Sequence, residues 1–435
     1  MRTGRQQAAL LAFDPPKPDP DTLAAEAAEP PEAVLDFLRR LGVAMCEAGD
    51  DTDGITHVLD EVARAYGARG VRFFVLPTGV FVRIDAGSVS RVDFAPGGEA
   101  VLRLDQVDAL YRLIDDIRHG RVDVVAAAER LDALLRSRPR FGAVVTLLAS
   151  GVLTVGLGLL LNPTASAIPA YLVLGIVVGA LRWWADRDRV MGLVLSVTAA
   201  FAVTWAAFEI AAPLLDTSGI DLVIPSLVTL LPGAALTMAT IELSAGSIVS
   251  GSTRLVYGLQ RLLVLTFGIA MGAEVAGFPS SPGHVTPLGA WAPWVGVLVF
   301  GLGQYLASSA PRHTLGWLLL VLYVTYAIQA GSGLLLGSLG ASFVAGAVVL
   351  PVAYAVQRRP SGPPVLVTFL PAFWLLVPGA LGLQGVAKIV GADKAAGLAD
   401  FLNALLTIVA IAVGVLVGSG FVERVRRVRS RPSDI

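Results

Sequence analysis

The pattern proline, six residues, Pro-Gly-Ala occurs twice in this chain, as IPSLVTLLPGA over residues 224 to 234 and LPAFWLLVPGA over residues 370 to 380. Pro225, Pro232, Gly233 and Ala234 are answered by Pro371, Pro378, Gly379 and Ala380 at a single offset (371 − 225 = 378 − 232 = 146). Both copies lie inside long apolar stretches. A proline within a helix removes an amide donor and clashes with the carbonyl four residues back, so each segment should break or kink. In a bilayer such breaks persist only where protein or a water-filled cavity satisfies the freed backbone. Interrupted helices at matching positions of a duplicated chain therefore mark a transporter and its binding site.

Composition agrees. Hydrophobic residues make up 55% of 435, charged residues 15%, and the mean hydropathy is +0.70, which implies an integral membrane protein. A net charge of −1 argues against a nucleic-acid surface. The single cysteine, Cys46, excludes an intrachain disulfide and a structural zinc cluster. The short apolar run at residues 8 to 13 leads into DPPKPDP and not into a cleavage site, so the amino end is expected to stay in the cytoplasm.

A helix needs about 20 apolar residues to cross a bilayer. Ten such spans are predicted, over residues 141 to 161, 167 to 185, 190 to 213, 220 to 242, 253 to 277, 290 to 309, 313 to 331, 333 to 356, 364 to 389 and 398 to 420. Arg136, Arg138 and Arg140, then Arg187 and Arg189, Arg254, Arg312, and Arg358 with Arg359 occupy every second connector, and Arg424 to Arg431 follow the last span. The positive-inside rule then puts both termini in the cytoplasm. Five spans per copy is an odd number, so the copies insert in opposite orientations. The expected fold is an α-helical polytopic membrane protein of ten spans in two inverted five-helix repeats, plus a small soluble α/β domain. Its parts are a disordered segment at 1–32, the cytoplasmic α/β domain at 33–138, repeats at 139–277 and 288–420, and a basic tail at 421–435.

The α/β domain reads from periodicity. Leu35, Leu38, Leu41 and Met45 share one helical face, and Ile55, Val58, Leu59 and Val62 share another behind the acidic cap at residues 50 to 53. RFFVLP, GVFVRI and VSRVDF alternate as strands, and two more helices follow.

These features together resemble the threonine/serine exporter family over about residues 32 to 420. The resemblance is carried by LRRLGVAMCEAGDDTDGITHVLDEVARAYG with FFVLPTGVFVRI, by LLPGAALTMATIELSAGSIVSGSTRLVYG, and by LLVPGALGLQG. It implies proton-motive-force-dependent export of small hydroxy amino acids at the cell membrane. Relatives associated with succinate-like dicarboxylates keep a second substrate class open. Glu242 stands where the family more often has aspartate, which adds a methylene and bears on selectivity.

Gly233 and Gly379 would let backbone approach a ligand, while Pro232 and Pro378 would free the carbonyls of Val228 and Trp374. Ser226, Thr229, Thr237, Gln384 and Asn403 are candidate partners for the substrate. Glu242, Arg254, Arg261, Lys388 and Asp400 are candidates for proton coupling or gating, because charges within spans are costly. Glu242 with Arg254 and Lys388 with Asp400 correspond as possible ion pairs, and Arg261 is expected to pair Glu242, to attract a substrate carboxylate or to snorkel. Glu209 and Glu274 fall at span ends, Gln304 is expected to join helices, and His57 with Glu61 has a spacing two metal ligands could use. No cofactor, metal site or enzymatic motif is expected. The partners are a small-molecule substrate, protons and the bilayer, with a homo-oligomer left open. The rival readings are a dicarboxylate exporter, favoured by unpaired arginines along the path, and a membrane-anchored enzyme, favoured by convergent carboxylates or histidines in a cleft of the α/β domain. Because the repeat lies wholly in the spans, that domain is expected to be dispensable for selectivity.

Overall fold

A computed structural model of the protein describes residues 32–68, 70–86, 89–97, 101–186, 189–277, 287–376 and 394–429. The predicted disordered segment at 1–31 and the last six residues of the tail lie outside the described residues.

The amino-terminal α/β unit begins with α1 (Glu32–Ala48) and α2 (Thr52–Ala65). Both are amphipathic, burying Phe37, Leu38, Leu41 and Met45 from α1 and Ile55, Leu59 and Val62 from α2. Asp51 caps α2 by accepting the Gly54 N–H at 2.5 Å. The strands β1 (Val71–Leu76), β2 (Gly79–Ala86) and β3 (Val89–Pro96) form an antiparallel meander in that order. Alternation turns Val75, Val80 and Val82 inward, where a methyl placed on Gly42 of α1 would stand 3.0 Å from Val80. Two helices close the unit, α3 (Leu104–Arg118) and α4 (Val124–Leu135). The buried Gln106 joins them by donating to the Leu134 and Leu135 carbonyls.

The rest of the described chain is helical: α5 (Ala143–Leu161), α6 (Ile168–Ala185), α7 (Arg189–Ala206), α8 (Gly219–Leu227), α9 (Gly233–Ala245), α10 (Ile248–Ala276), α11 (Ala292–Ala307), α12 (Leu315–Gln357), α13 (Val365–Leu376) and α14 (Lys394–Arg429). A π-helical stretch, Ala207–Ala211, and a final turn, Ala212–Leu215, extend α7. Among the described residues six helices are long and apolar enough to cross a membrane, and the bent pair α8 and α9 adds a seventh if it is one span. Helices α11 and α13 are apolar but shorter, and residues 377 to 393 of the predicted ninth span lie outside the described residues.

Two predicted spans, 313 to 331 and 333 to 356, share the single element α12. Gly337 interrupts it at φ 70°, in the left-handed region open to glycine. A methyl on Gly333 would lie 3.7 Å from Ala341 Cβ, whereas eight residues of straight helix rise about 12 Å. The chain therefore folds back at Gly337. The turn falls five residues later than the expected boundary at 332, because three leucines, Leu334 to Leu336, extend the first arm before the glycine allows reversal.

Glycines set the helix crossings. A methyl on Gly156 of α5 would stand 2.3 Å from the Phe300 nitrogen of α11, and one on Gly303 would stand 2.5 Å from the Leu153 nitrogen, so the two helices run antiparallel at near-backbone contact. On α10, Gly268 and Gly272 meet the carbonyl oxygens of Val197 and Phe201 of α7; on α14, Gly414 and Gly418 meet those of Phe343 and Ala347 of α12. Every member of the second set lies 146 residues after its counterpart (414 − 268 = 418 − 272 = 343 − 197 = 347 − 201 = 146), the offset of the Pro-Gly-Ala pattern.

Candidate functional site

The first Pro-Gly-Ala copy breaks its helix as expected. α8 runs into a 3-10 turn at Val228–Leu230, Leu231 is extended, and α9 departs at 55° to its predecessor. The freed carbonyl is used differently from the expectation: Val228 C=O accepts the Leu231 N–H at 3.1 Å, because tightening to 3-10 geometry recruits a donor nearer in the chain. Pro232 and Gly233 are buried, and the Pro232 carbonyl accepts from Leu236. Ser226 and Thr237 are fully buried with their hydroxyls donating to the Leu222 and Gly233 carbonyls one turn back, so in this state neither presents a free donor to a ligand. Thr229 lies half-buried in the 3-10 turn.

α9 ends at Gly246, whose φ of 92° reverses the chain into α10. The reversal brings Glu242 of α9 against Arg254 of α10, with Oε2 and Nε 3.1 Å apart. The pair is close but not aligned for a hydrogen bond, so those two buried atoms keep unused hydrogen-bonding capacity. Glu242 is only 2% exposed. Its other oxygen faces the start of α2, where the Thr52 N–H and hydroxyl both donate to it at 3.4 Å. An anion at a helix amino end is favoured by the helix dipole. Two further bonds clasp this corner: Ser247 Oγ donates to Asp53 Oδ1 at 2.9 Å, and Arg254 donates to the Asp50 carbonyl at 3.2 Å.

Other contacts extend the docking of the α/β unit. Leu104 N–H donates to the Ser308 carbonyl, Arg112 meets His313, and Arg140 donates to Tyr305 and to the Ala310 carbonyl. The connectors it touches, after α9 and α11, are among those expected to be basic and cytoplasmic. At the opposite end of the helices, Pro163 and Thr164 pair with Leu288 and Pro287.

Between the α/β unit and the helices lies a cavity of about 820 Å³. Asp50, Asp51, Asp53, His57, Glu61, Tyr111 and Arg118 line it from one side; Met238, Ile241 and Glu242 of α9 line it from the first half of the helices, and Leu350, Tyr354, Phe369 and Val415 from the second half. Arg358 also faces it. Burial pushes the Asp50 carboxyl up to about 7, against the opposing pull of the Tyr111 hydroxyl, which donates to it at 2.5 Å. Burial raises Asp51 in the same sense. The arrangement offers carboxylates to a cation and apolar wall to a small side chain.

The family profile described as "Putative threonine/serine exporter" matches residues 36–276, more than half of the chain, from within α1 to the end of α10 and including the residues that build this corner. The chain belongs to the threonine/serine exporter family. It is also similar to pheromone-regulated membrane protein 10 of Candida glabrata, at 25% identity over 44% of this chain and 27% of that protein. The proteins of that name from Debaryomyces hansenii and Candida albicans are each 27% identical over 41% of this chain and 18% and 16% of their own lengths. The matched region thus spans about a quarter or less of these relatives. No solved structure matches the chain.

For this family member, the pair predicted from spacing, Glu242 with Arg254, is formed. Arg261 does not reach Glu242: it donates to Tyr257 Oη at 2.6 Å, one turn back on α10, because seven residues from Arg254 place it on another part of the helix. Asp400 is half-buried and Asn403 exposed on α14, so Asn403 does not join the cavity lining. Glu209 and Glu274 are exposed, and Gln304 donates within its own helix to Ser308 instead of joining two helices. His57 lies 3.2 Å from Glu61, which Arg118 also pairs at 2.5 Å. Among the described residues no group of three His, Cys, Asp or Glu side chains could hold a metal ion. Pro378, Gly379, Gln384 and Lys388 lie outside the described residues. The sequence reading missed Asp50, Asp51, Thr52 and Tyr111 as site residues. The available signal was an acidic run, GDDTDG, with more carboxylates than one N-cap uses.

Proposed function

We propose that the chain exports threonine, serine or a similar small amino acid across the cell membrane in exchange for protons, by alternating access. Its ten spans would form two inverted repeats at 139–277 and 288–420, with a cytoplasmic α/β domain at 33–138 and both termini, including the tail at 421–435, in the cytoplasm. The observation that carries this reading is the 55° break at Pro232 and Gly233, whose second limb, α9, runs to a cavity walled by both halves of the helices. A broken helix beside a cavity between repeats is how transporters place substrate and coupling groups. The glycine crossings repeated at 146 residues support the duplication, and the antiparallel α5 and α11 support opposite insertion.

Arg254 is paired with Glu242 and Arg118 with Glu61, whereas Arg358 faces the cavity with no ion pair among the described residues, so the arginines alone do not decide between an amino acid and a dicarboxylate. The converging carboxylates also meet the condition set for an enzyme. They face helices on the other side of the cavity, however, and a path through the helices uses both walls where a hydrolytic cleft would need only one. Counterflow of labelled serine, threonine and succinate in proteoliposomes tests the proposal. Exchange of serine or threonine is expected; exchange of succinate alone selects the dicarboxylate reading, and absence of all three exchanges removes transport of these solutes.

A further inference from the structure

We infer that the acidic turn of the amino-terminal unit belongs to the substrate path, where Asp50 and Asp51 receive the ammonium group of a zwitterionic amino acid and repel a dianion. The inference rests on the transport reading above and gives the α/β unit a part in selectivity, contrary to the expectation from the repeat alone.

The turn is built into the helical part. Thr52 donates twice to Glu242, Ser247 donates to Asp53, and Arg254 donates to the Asp50 carbonyl, so residues 50 to 53 are fixed over the end of α9. Asp50, Asp51 and Glu242 line the same cavity. Glu242 is 2% exposed, and its oxygen without a hydrogen bond is the one that faces Arg254. Charge among the described lining residues is unbalanced. Arg118 is matched by Glu61 and Glu242 by Arg254, while Asp50, Asp51 and Asp53 have hydroxyl or amide donors as their hydrogen-bond partners. Among the described lining residues Arg358 is a cation with no ion pair. Once Asp50 and Asp51 have released their protons, an ammonium group gains from that excess and one carboxylate can be answered by Arg358, whereas the second carboxylate of a dianion meets like charge. The partly apolar wall, with Met238 and Leu350 among its residues, offers apolar contact to a substrate side chain.

The test is Asp50→Asn with Asp51→Asn in the full chain, reconstituted in proteoliposomes. Asparagine keeps an acceptor oxygen for the Tyr111 hydroxyl and the Gly54 N–H, so the turn is retained while charge is removed. The half-saturating serine concentration for counterflow should rise at least tenfold and succinate should become a competitor. Asp51→Glu should restore much of the serine affinity, and Asp60→Asn, on α2 but outside the cavity lining, should change neither. A folded double variant with wild-type serine affinity and succinate exclusion overturns the inference while leaving transport intact. Wild-type vesicles that exchange neither serine nor threonine overturn the transport reading and this inference together. If the double variant does not reconstitute, His57→Cys in a Cys46→Ala background decides: protection from maleimide by serine supports the inference, and unchanged labelling overturns it.

Discussion

Glu242 and Thr52, 190 residues apart, are joined by two hydrogen bonds of 3.4 Å to one carboxylate oxygen, while the other oxygen faces Arg254 at 3.1 Å. One carboxylate thus connects three elements: α9, α10 and the start of α2. Removing either charge would strand the other in a buried site, which costs about 3–5 kcal/mol. Glu242→Gln and Arg254→Met should each lower thermal stability in detergent by several degrees. The double variant should lose less than the sum of the two, and strictly additive losses would show that the pair is not coupled.

The repeated glycine crossings give a second expectation. Gly268 and Gly414 hold the same position in the two halves, each against a carbonyl oxygen of the neighbouring helix. A leucine there forces the helices apart and should destabilise by about 1–3 kcal/mol or more. Gly268→Leu and Gly414→Leu should therefore impair folding to a similar degree. The exposed Gly420, with open space around it, should accept alanine with little effect.

Cys46 should be a silent thiol. It is half-buried, donates weakly to the Leu76 carbonyl, and burial pushes its ionisation up to about 12, so almost no thiolate exists at neutral pH. Maleimide should leave it unlabelled in both intact and permeabilised cells and modify it only on unfolding. A cysteine introduced at the exposed Ser361 should instead react after permeabilisation and not before, and reaction in intact cells would reverse the proposed orientation.

Much of this was legible in the chain, for physical reasons that differ by feature. The helix break at Pro232 follows from a missing amide donor, a local fact, and the amphipathic faces of α1 and α2 follow from helical period. The pair of Glu242 with Arg254 needed only a reversal between two helices, which Gly246 supplies. The clasp of residues 50 to 53 onto that pair was not legible, because no local rule relates an N-cap to a helix end 190 residues later. The reversal at Gly337 was displaced for a different reason: several glycines in one apolar run could each turn the chain, and Gly337 is the one that takes the left-handed φ.

Asp50 makes stability depend on pH. Its carboxyl is raised from 3.8 to about 7 by burial, so between those values the folded state holds a proton that the unfolded chain has released. Its stabilising contribution is complete below about pH 4 and is lost as pH rises through about 7. Wild-type melting temperature should consequently fall between pH 5 and pH 8 more steeply than that of Asp50→Asn. Parallel pH profiles would mean that Asp50 is ionised across the whole range.

Proton coupling is expected to run through Glu242, the carboxylate of the broken span that lines the cavity and has a cation beside it. A carboxylate binds a proton more tightly when a neighbouring cation withdraws and releases it when the cation returns. Arg254 is placed to act in this way, since its other contact is to the Asp50 carbonyl, and movement of α10 or of the α/β unit would alter both at once. Glu242→Gln should therefore still support serine counterflow, which requires no net proton movement, but should lose concentrative export driven by a pH gradient. Counterflow and gradient-driven efflux measured on the same vesicles separate the two steps. Gradient-driven export at the wild-type rate would make Glu242 a strut between elements and place the proton carrier elsewhere, with Asp50 and Asp51 across the same cavity the next residues to replace.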